Sequence, residues 1–334
     1  MKELFVGIDI GGTKTAFTLI EYDRTFSEHV EILSKSICET PVGEYASTAL
    51  DGIATSIDTL LSRKNFSADS IRAIGVSCGG PVDSLHGIII NPPNLYGWHN
   101  IAIVDFLSHK YACNVYLQND ANACALAEWH FGAGKNTTNM IFLTMGTGMG
   151  AGLILNKQLY CGTSNMAGEI GHIRLSEFGP VGYGKIGSFE GFTSGFGISQ
   201  IARDYALVEL QNRETTTYCN SLSSLSSITA KSVAAAANGN DQVAKNAYST
   251  VGRFLGKGLA ILIDILNPEM IVIGSIYTRD SHLLVSTMNE EIEKESLSMS
   301  RNVCKVVPAA LGENIGDYAA FTVALYGEGY LHAE

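Results

Sequence analysis

The sequence predicts an α/β protein of two domains, and three observations carry that expectation. Apolar runs of strand length alternate with segments of helical periodicity from one end of the chain to the other. A strand, a turn rich in glycine and threonine and a second strand follow one another twice, at residues 4–21 and again at residues 139–155. The 334 residues, 46% hydrophobic and 16% charged, supply core for two domains of ordinary size.

Composition removes several functions. The formal net charge is −11 and no run of Lys or Arg occurs, so the electrostatic footprint of nucleic-acid or anionic-membrane binding is missing. No apolar stretch is long enough to cross a bilayer, and residues 1–10 carry no basic region, long apolar core or cleavage site. A cytoplasmic protein is expected. The seven cysteines, Cys38, Cys78, Cys113, Cys124, Cys161, Cys219 and Cys304, are odd in number, scattered and mostly inside apolar runs, the usage of reduced thiols. No Cys-x-x-Cys pair offers zinc ligands.

The first strand, about residues 4–10, ends at Asp9, and Gly11, Gly12, Thr13 and Lys14 follow at once. Without a Cβ in the way, a two-glycine turn can bring backbone N–H groups close to a phosphate, with the Thr13 hydroxyl as a further donor. Beside such phosphates Asp9 would be tolerable facing a divalent cation or its waters. The same residues equally suit a plain hairpin turn.

A second strand at about 15–21, a third at 31–40 and a helix over 43–62 come next. The buried-strand pattern of 71–77 ends in Cys78, Gly79, Gly80 and Pro81, a glycine turn stiffened by proline at a strand end, where α/β sheets bind ligands. Asn91, Pro92, Pro93, Asn94, Tyr96 and Trp98 make a rigid segment of amides and aromatics, suited to a sugar's hydroxyls and C–H faces or to a solvent loop with a packed Trp. A short strand at 115–118 leads into a helix beginning at Asn119 and Asp120. There Asp120 is either an N-cap, favoured by the helix dipole, or a general base fixed at a strand end.

Gly146, Thr147, Gly148 and Gly150 repeat the opening turn after a strand at 139–144; a strand and not a helix follows, so this is no dinucleotide fingerprint. Two such turns from two halves of a chain can grip a polyphosphate from opposite sides. Glu169 and His172 put an acid and an imidazole three residues apart, either a functional pair or a buried His in a turn. A glycine-punctuated loop from Val181 ends in Glu190, and helical periodicity resumes at Gly195. Residues 215–227 are polar and rich in Ser and Thr, which suggests a mobile excursion. Apolar residues from Val243 to Leu266 recur at helical spacing until Pro268 closes the helix; a strand at 270–274, a helix at about 279–296, a strand at 303–307 and a helix from about 314 to 326 complete the chain.

With these residues in place, the chain resembles the ROK family, the repressors, open reading frames and sugar kinases of the actin and hexokinase type. The resemblance runs from residue 4 to about 326 and rests on motifs in order: Asp9 to Lys14; Gly79, Gly80, Pro81, Val82 and Asp83; Asn91, Pro92, Pro93, Asn94 and Leu95; Asn119 and Asp120; Thr144 to Gly152; Glu169, Ile170, Gly171 and His172; and Asn267, Pro268 and Glu269 before Gly274. It implies a two-lobed actin/hexokinase-like ATPase fold, a duplicated ribonuclease H-like motif with an interlobe cleft. The implied lobes are residues 1–118, completed by a C-terminal helix at about 314–334, and residues 119–313.

The resemblance also implies roles. Asp120 matches the catalytic base. Asp9, Gly11, Gly12, Thr13, Lys14, Gly146, Thr147 and Gly148 match the turns that hold ATP phosphates with Mg²⁺, and Gly256, Gly274 and Ser275 the adenosine side. Gly79, Gly80, Asn94, Asn119, Glu169, His172 and Glu190 match the sugar contacts. A homodimer through the larger lobe is expected, with a small-molecule sugar as partner. Repressor members carry a DNA-binding domain before the first turn; only eight residues precede Asp9, so none is expected here.

In one stretch the chain departs from the family. The family's zinc loop reads Cys-x-Cys-Gly-x-x-Gly-Cys-x-Glu, and here Val181, Tyr183 and Ser188 stand at the cysteine positions, while Gly184, Gly187, Glu190 and the family's His172 remain. Val cannot ligate zinc and one imidazole does not make a tetrahedral site, so no structural zinc is expected. Burial of Val181 and Tyr183 would then keep the loop in shape. The implied activity is ATP-dependent phosphorylation of the exocyclic hydroxyl of a hexose or N-acetylhexosamine; the alternative is a non-catalytic sugar-sensing regulator.

Overall fold

The structure, a computed structural model, describes residues 2–26, 30–43 and 46–331. The chain divides into two compact units: residues 1–138, 152–167 and 310–334, and residues 139–151 and 168–309.

The first unit is built on a five-stranded sheet of β1 (Lys2–Ile10), β2 (Lys14–Asp23), β3 (Val30–Glu39), β4 (Ile71–Cys78) and β7 (Asn114–Asn119), in the order β3-β2-β1-β4-β7. β1 and β2 are the antiparallel hairpin the sequence predicts, and β4 and β7 add in parallel. The short strands β5 (Val82–Asp83) and β6 (Ile88–Ile89) form a separate hairpin. Alternation along β1 sends Leu4, Val6, Ile8 and Ile10 to a core shared with α1 (Ala46–Arg63) and α2 (Ile103–Tyr111). On the other face Phe5 meets Phe321 of α10 (Ile315–Gly327) edge-on at 5.4 Å. A Cβ on Gly75 of β4 would collide with the Ala320 carbonyl, so glycine lets α10 lie directly on the sheet. Covered on both faces, the strands read as near-continuous apolar runs. The helix expected over 43–62 starts at Ala46 in the structure; positions 44 and 45 lie outside the described residues.

α3 (Asp120–His130) packs on α10, and with it the first unit extends to Thr138, where the sequence reading set the boundary at 118/119. Glu128 of α3 is fully buried and accepts the amides of Ala133 (2.8 Å), Ala310 (3.1 Å) and Leu311 (2.8 Å), tying α3 to the turn that enters α10.

The second sheet runs β10-β9-β8-β13-β14, from β8 (Met140–Met145), β9 (Met149–Leu155), β10 (Gln158–Leu159), β13 (Met270–Ser275) and β14 (Lys305–Pro308). Residues 152–167, the end of β9 and β10, are counted with the first unit. β13 is parallel to β8 and β14, and its Ile271, Val272 and Ile273 are wholly buried. The hairpin of β11 (Val181–Gly182) and β12 (Lys185–Ile186) precedes α4 (Phe189–Thr193), α5 (Gly195–Gln211), α6 (Ala230–Asn238) and α7 (Gln242–Leu266). Asp241 caps α7 by accepting the Ala244 amide at 3.0 Å, and Asn267 in the left-handed region ends it one residue before Pro268.

α8 (Ile276–Glu295) and α9 (Ser298–Arg301) follow β13. α8 begins three residues before the expected Arg279, directly after the strand, with a break at Asp280. Residues 215–227, expected to be a mobile excursion, form a closed segment instead. Thr216 pairs with Cys219, Thr217 donates twice to Asp241 Oδ2 (2.7 and 2.8 Å), and Leu222–Ser227 is a 3₁₀ turn whose entry is tied by Ser221 N to Ser224 Oγ. Hydroxyls replace the missing apolar residues by bonding locally to the backbone.

Candidate active site

Parallel register brings three strand ends together in the first unit. Asp9 pairs with Ser77, Ile10 with Cys78, and Cys78 with Asn119, so the ends of β1, β4 and β7 lie side by side. Ser77 Oγ donates to Asp9 Oδ1 at 2.9 Å. Across from it, a Cβ on Gly316 would lie 2.8 Å from Asp9 Oδ2, so only glycine at the start of α10 leaves that oxygen its place. Burial pushes the Asp9 carboxyl up to about 6; the charges of Asp120 and Asp317 push the same way, against the Ser77 hydrogen bond and Lys35. Lys35 pairs with Asp317 on the first turn of α10, 2.7 Å to either oxygen.

The turn after β1 closes as the glycines require. Gly11 N donates to Lys14 O at 3.0 Å, and Thr40 pins the loop, its hydroxyl on Gly11 O at 2.7 Å and its amide on Thr13 O at 3.0 Å. Thr13 and Lys14 are exposed. A Cβ on Gly12 would sit 2.8 Å from Asn94 Cβ, so this turn and the proline-rich loop touch. Trp98 of that loop is buried, its Nε1 donating to Pro41 O at 2.8 Å. It is the packed Trp of the two alternatives, while Asn94 is exposed.

Asp120 is exposed on the first residue of α3. Its Oδ1 and the Oδ1 of the N-cap Asn119 both accept the Ala121 amide, at 2.8 and 2.9 Å, so the base candidate is oriented by the helix start rather than by burial. Gly79 and Gly80 lie against this pair: Cβ atoms there would be 4.0 Å from Asp120 Oδ2 and 3.0 Å from Asn119 Nδ2. The neighbouring thiols Cys78 and Cys124 are held protonated by burial, with Asp120 and Asp9 adding to the shift.

In the second unit the Gly146 turn is tied at both ends. Gly146 N donates to Gly148 O at 3.0 Å, and Gly195 N, at the start of α5, donates to Gly146 O at 2.8 Å. Glu190 Oε2 accepts the Met149 amide at 2.9 Å, and a Cβ on Gly148 would lie 2.7 Å from the same oxygen. The carboxylate matched to the sugar thus also buttresses the second phosphate turn. Gly171, between Glu169 and His172 in the chain, packs so closely that a Cβ would be 3.2 Å from Glu190 Cβ. Glu169 is exposed.

The loop at the cysteine positions is held differently from the expectation. Val181 and Tyr183 are 37% and 69% exposed, so apolar burial does not shape it. Tyr183 (φ 45°) and Gly184 (φ 74°) make the left-handed two-residue turn that closes the hairpin. Gln200 clamps Val181 from both sides, accepting its amide at 3.0 Å and donating to its carbonyl at 2.8 Å. Arg174 donates to Ile186 O at 2.7 Å, Lys185 donates to His172 O, and the His172 ring meets Tyr183 edge-on at 5.2 Å. Ser188, fully buried, caps α4 through Gly191 N at 3.1 Å and so sets Glu190 two residues on. Among the described residues no group of three or more His, Cys, Asp or Glu side chains is gathered as a metal ligand set.

A pocket of about 780 Å³ opens in the second unit beside Gly146 and Thr147, walled by Phe196, Ala230, Ala234, Ser275, Ile276 and Arg279 among others. Its volume suits a nucleotide-sized ligand. Of the three residues matched to the adenosine side, Ser275 alone lines it. Gly274 faces Phe142, and Gly256 lies in the α7–α8 contact, where a Cβ would be 2.5 Å from Met288 O; its smallness serves helix packing. Sequence reasoning missed Ser77 and Gly316 around Asp9, Thr40 on the turn after β1, and Phe196 and Arg279 in the pocket. Thr40, at the end of a predicted strand, and Gly316, at a predicted helix start, were visible as positions; lone residues on helices such as Phe196 and Arg279 carried no signal.

Known proteins are similar to this chain over most of its length. A glucokinase of Halalkalibacterium halodurans is 30% identical over 314 residues, 93% of this chain and 92% of its own. A xylose repressor of Caldicellulosiruptor bescii is 26% identical over 294 residues, 87% of this chain and 70% of that protein. The crystal structure of a ROK family glucokinase from Streptomyces griseus in complex with glucose and AMPPNP matches with a TM-score of 0.74 at 27% identity, over 97% of this chain and 100% of that one. The fold class is the actin/hexokinase-like one expected from the sequence. The model of the ROK family matches residues 5–326, and the chain belongs to that family.

Proposed function

We propose that this chain is an ATP-dependent sugar kinase that phosphorylates the exocyclic hydroxyl of a hexose, with glucose the leading substrate and an N-acetylhexosamine the other class. The observation that carries this is Asp120: an exposed carboxylate, fixed by the Ala121 amide at the start of α3, beside the glycines of the Gly79 turn and near a carboxyl whose ionisation is resisted. In this reading Asp120 accepts the proton of the sugar hydroxyl as its oxygen attacks the γ-phosphorus and the bond to the ADP oxygen breaks. Asn94, Asn119, Glu169, His172 and Glu190 with the Gly79 and Gly80 backbone orient the sugar. Gly11, Gly12, Thr13 and Lys14, and Gly146, Thr147 and Gly148, present N–H dipoles and side-chain donors to the phosphates.

Mg²⁺ suits the acidic surroundings, where Asp120 and Asp317 add to the pressure against ionising Asp9 and a divalent cation would relieve it. When bound with ATP, it neutralises the phosphate oxygens. No helix among the described residues is long and apolar enough to cross a membrane. The reading further includes a cytoplasmic location and a homodimer through the larger lobe, both taken from membership of the family.

A coupled ADP-release assay across a panel of hexoses and N-acetylhexosamines tests the proposal, which expects sugar-dependent turnover with at least one. The similarity to a xylose repressor favours a second reading, a sugar-sensing regulator, which expects sugar binding without turnover.

A further inference from the structure

Ser275 ends β13 and pairs with Met145 in the parallel ladder with β8, which places it beside the entrance of the Gly146 turn. Its backbone takes φ 63° and ψ −116°. In that region a Cβ crowds the neighbouring carbonyl oxygens, and glycine is the residue that adopts it freely. The position is the N-cap of α8, where a serine hydroxyl ordinarily accepts an N–H of the first turn; here it makes no such bond. Burial does not explain the residue either, since Ser275 is exposed and lines the 780 Å³ pocket. A Cβ on Gly146 would come within 3.4 Å of Ser275 Oγ, so the hydroxyl lies over the backbone of the turn.

A serine thus stands where glycine would be easier for the backbone, and its hydroxyl, unused for capping, faces the pocket at the phosphate turn. Local structure gains nothing from the side chain; a ligand in the pocket would. We propose that Ser275 Oγ donates a hydrogen bond to a phosphate oxygen of the nucleotide held at the Gly146 and Thr147 turn. The proposal rests on the kinase reading and deepens it: the residue matched to the adenosine side serves the phosphates.

Ser275→Ala keeps the Cβ and its strain but loses the hydroxyl, whereas Ser275→Gly loses both. Binding of AMP-PNP with Mg²⁺ and of adenosine, measured by calorimetry on the full chain, separates the possibilities. Both variants should bind AMP-PNP roughly tenfold more weakly than the wild type, the loss of one hydrogen bond to a charged group, and adenosine equally well. Without ligand, Ser275→Gly should unfold at a higher temperature than Ser275→Ala. Unchanged AMP-PNP affinity in both variants, or an equal loss for adenosine, overturns the proposal while leaving the kinase reading in place. Wild-type protein that binds no AMP-PNP at all overturns the kinase reading itself, and the role of Ser275 with it.

Discussion

The Ser77 hydroxyl donates to Asp9 Oδ1 at 2.9 Å and opposes the burial that raises the Asp9 carboxyl to about 6. An acid whose folded pKa exceeds its unfolded value of about 4 contributes stability that is full below the unfolded pKa and lost as pH rises to about 6. At neutral pH the ionised Asp9 therefore destabilises the ligand-free fold. Asp9→Asn, which keeps an acceptor for Ser77, should stabilise the ligand-free protein by on the order of 2 kcal/mol at pH 7.5 and by almost nothing at pH 4. The same variant should turn over sugar roughly tenfold or more slowly, a stability gain at the expense of function. Denaturant unfolding at the two pH values checks it; an equal effect at both would remove the titration argument.

Gly256→Ala tests a packing role against a nucleotide role. The new Cβ would press on Met288 O and on Glu291 Cβ, 2.5 and 2.8 Å away, so stability should fall by about 1–3 kcal/mol. The KM for ATP should stay within about twofold, since overpacking between helices costs stability without touching the pocket wall. A rise in KM with unchanged stability would return Gly256 to the adenosine side.

The hairpin at the cysteine positions should depend on Gln200 rather than on metal. Gln200→Ala removes two hydrogen bonds to Val181 at the surface and should cost about 1–2 kcal/mol. Because the hairpin leads through Ser188 to Glu190, the KM for sugar should rise more than kcat falls. Activity lost to EDTA should return in full with Mg²⁺ alone, and elemental analysis that finds about one zinc per chain would contradict the metal-free account.

The buried Glu128 carboxylate accepts three backbone amides, that of Ala133 after α3 and those of Ala310 and Leu311 at the turn into α10, and Glu128→Ala takes the acceptor from all three. A loss of about 3 kcal/mol or more is expected. Substitution by Gln, which keeps one acceptor oxygen, should cost less. Thermal unfolding of both variants gives the order.

Much of this was legible in the chain because strand periodicity and glycine turns are local signals. The β1–β2 hairpin, the Asn119–Asp120 helix start and the long α7 follow from spacing alone. The support for Asp9 from Ser77 and Gly316 was not, since it arises from parallel register between β1 and β4 and from the return of α10, both set by distant segments. The loop holding Glu190 illustrates the limit. Three non-cysteine residues at the cysteine positions argue in the sequence against a metal, but a glutamine on α5 has no sequence mark that names its partner as Val181. Nor does a serine after Gly274 announce a positive φ.

The central claim is that Asp120 takes a proton in phosphoryl transfer. Asp120→Asn preserves the shape of the side chain and an acceptor for the Ala121 amide while removing proton affinity. The most direct test is steady-state ADP release with the best sugar of the panel, alongside calorimetric sugar binding by the same variant. The account predicts a fall in kcat on the order of 10²–10⁴-fold with sugar affinity largely intact. Turnover within about threefold of wild type would contradict it, because an effect that small is below what loss of a general base produces.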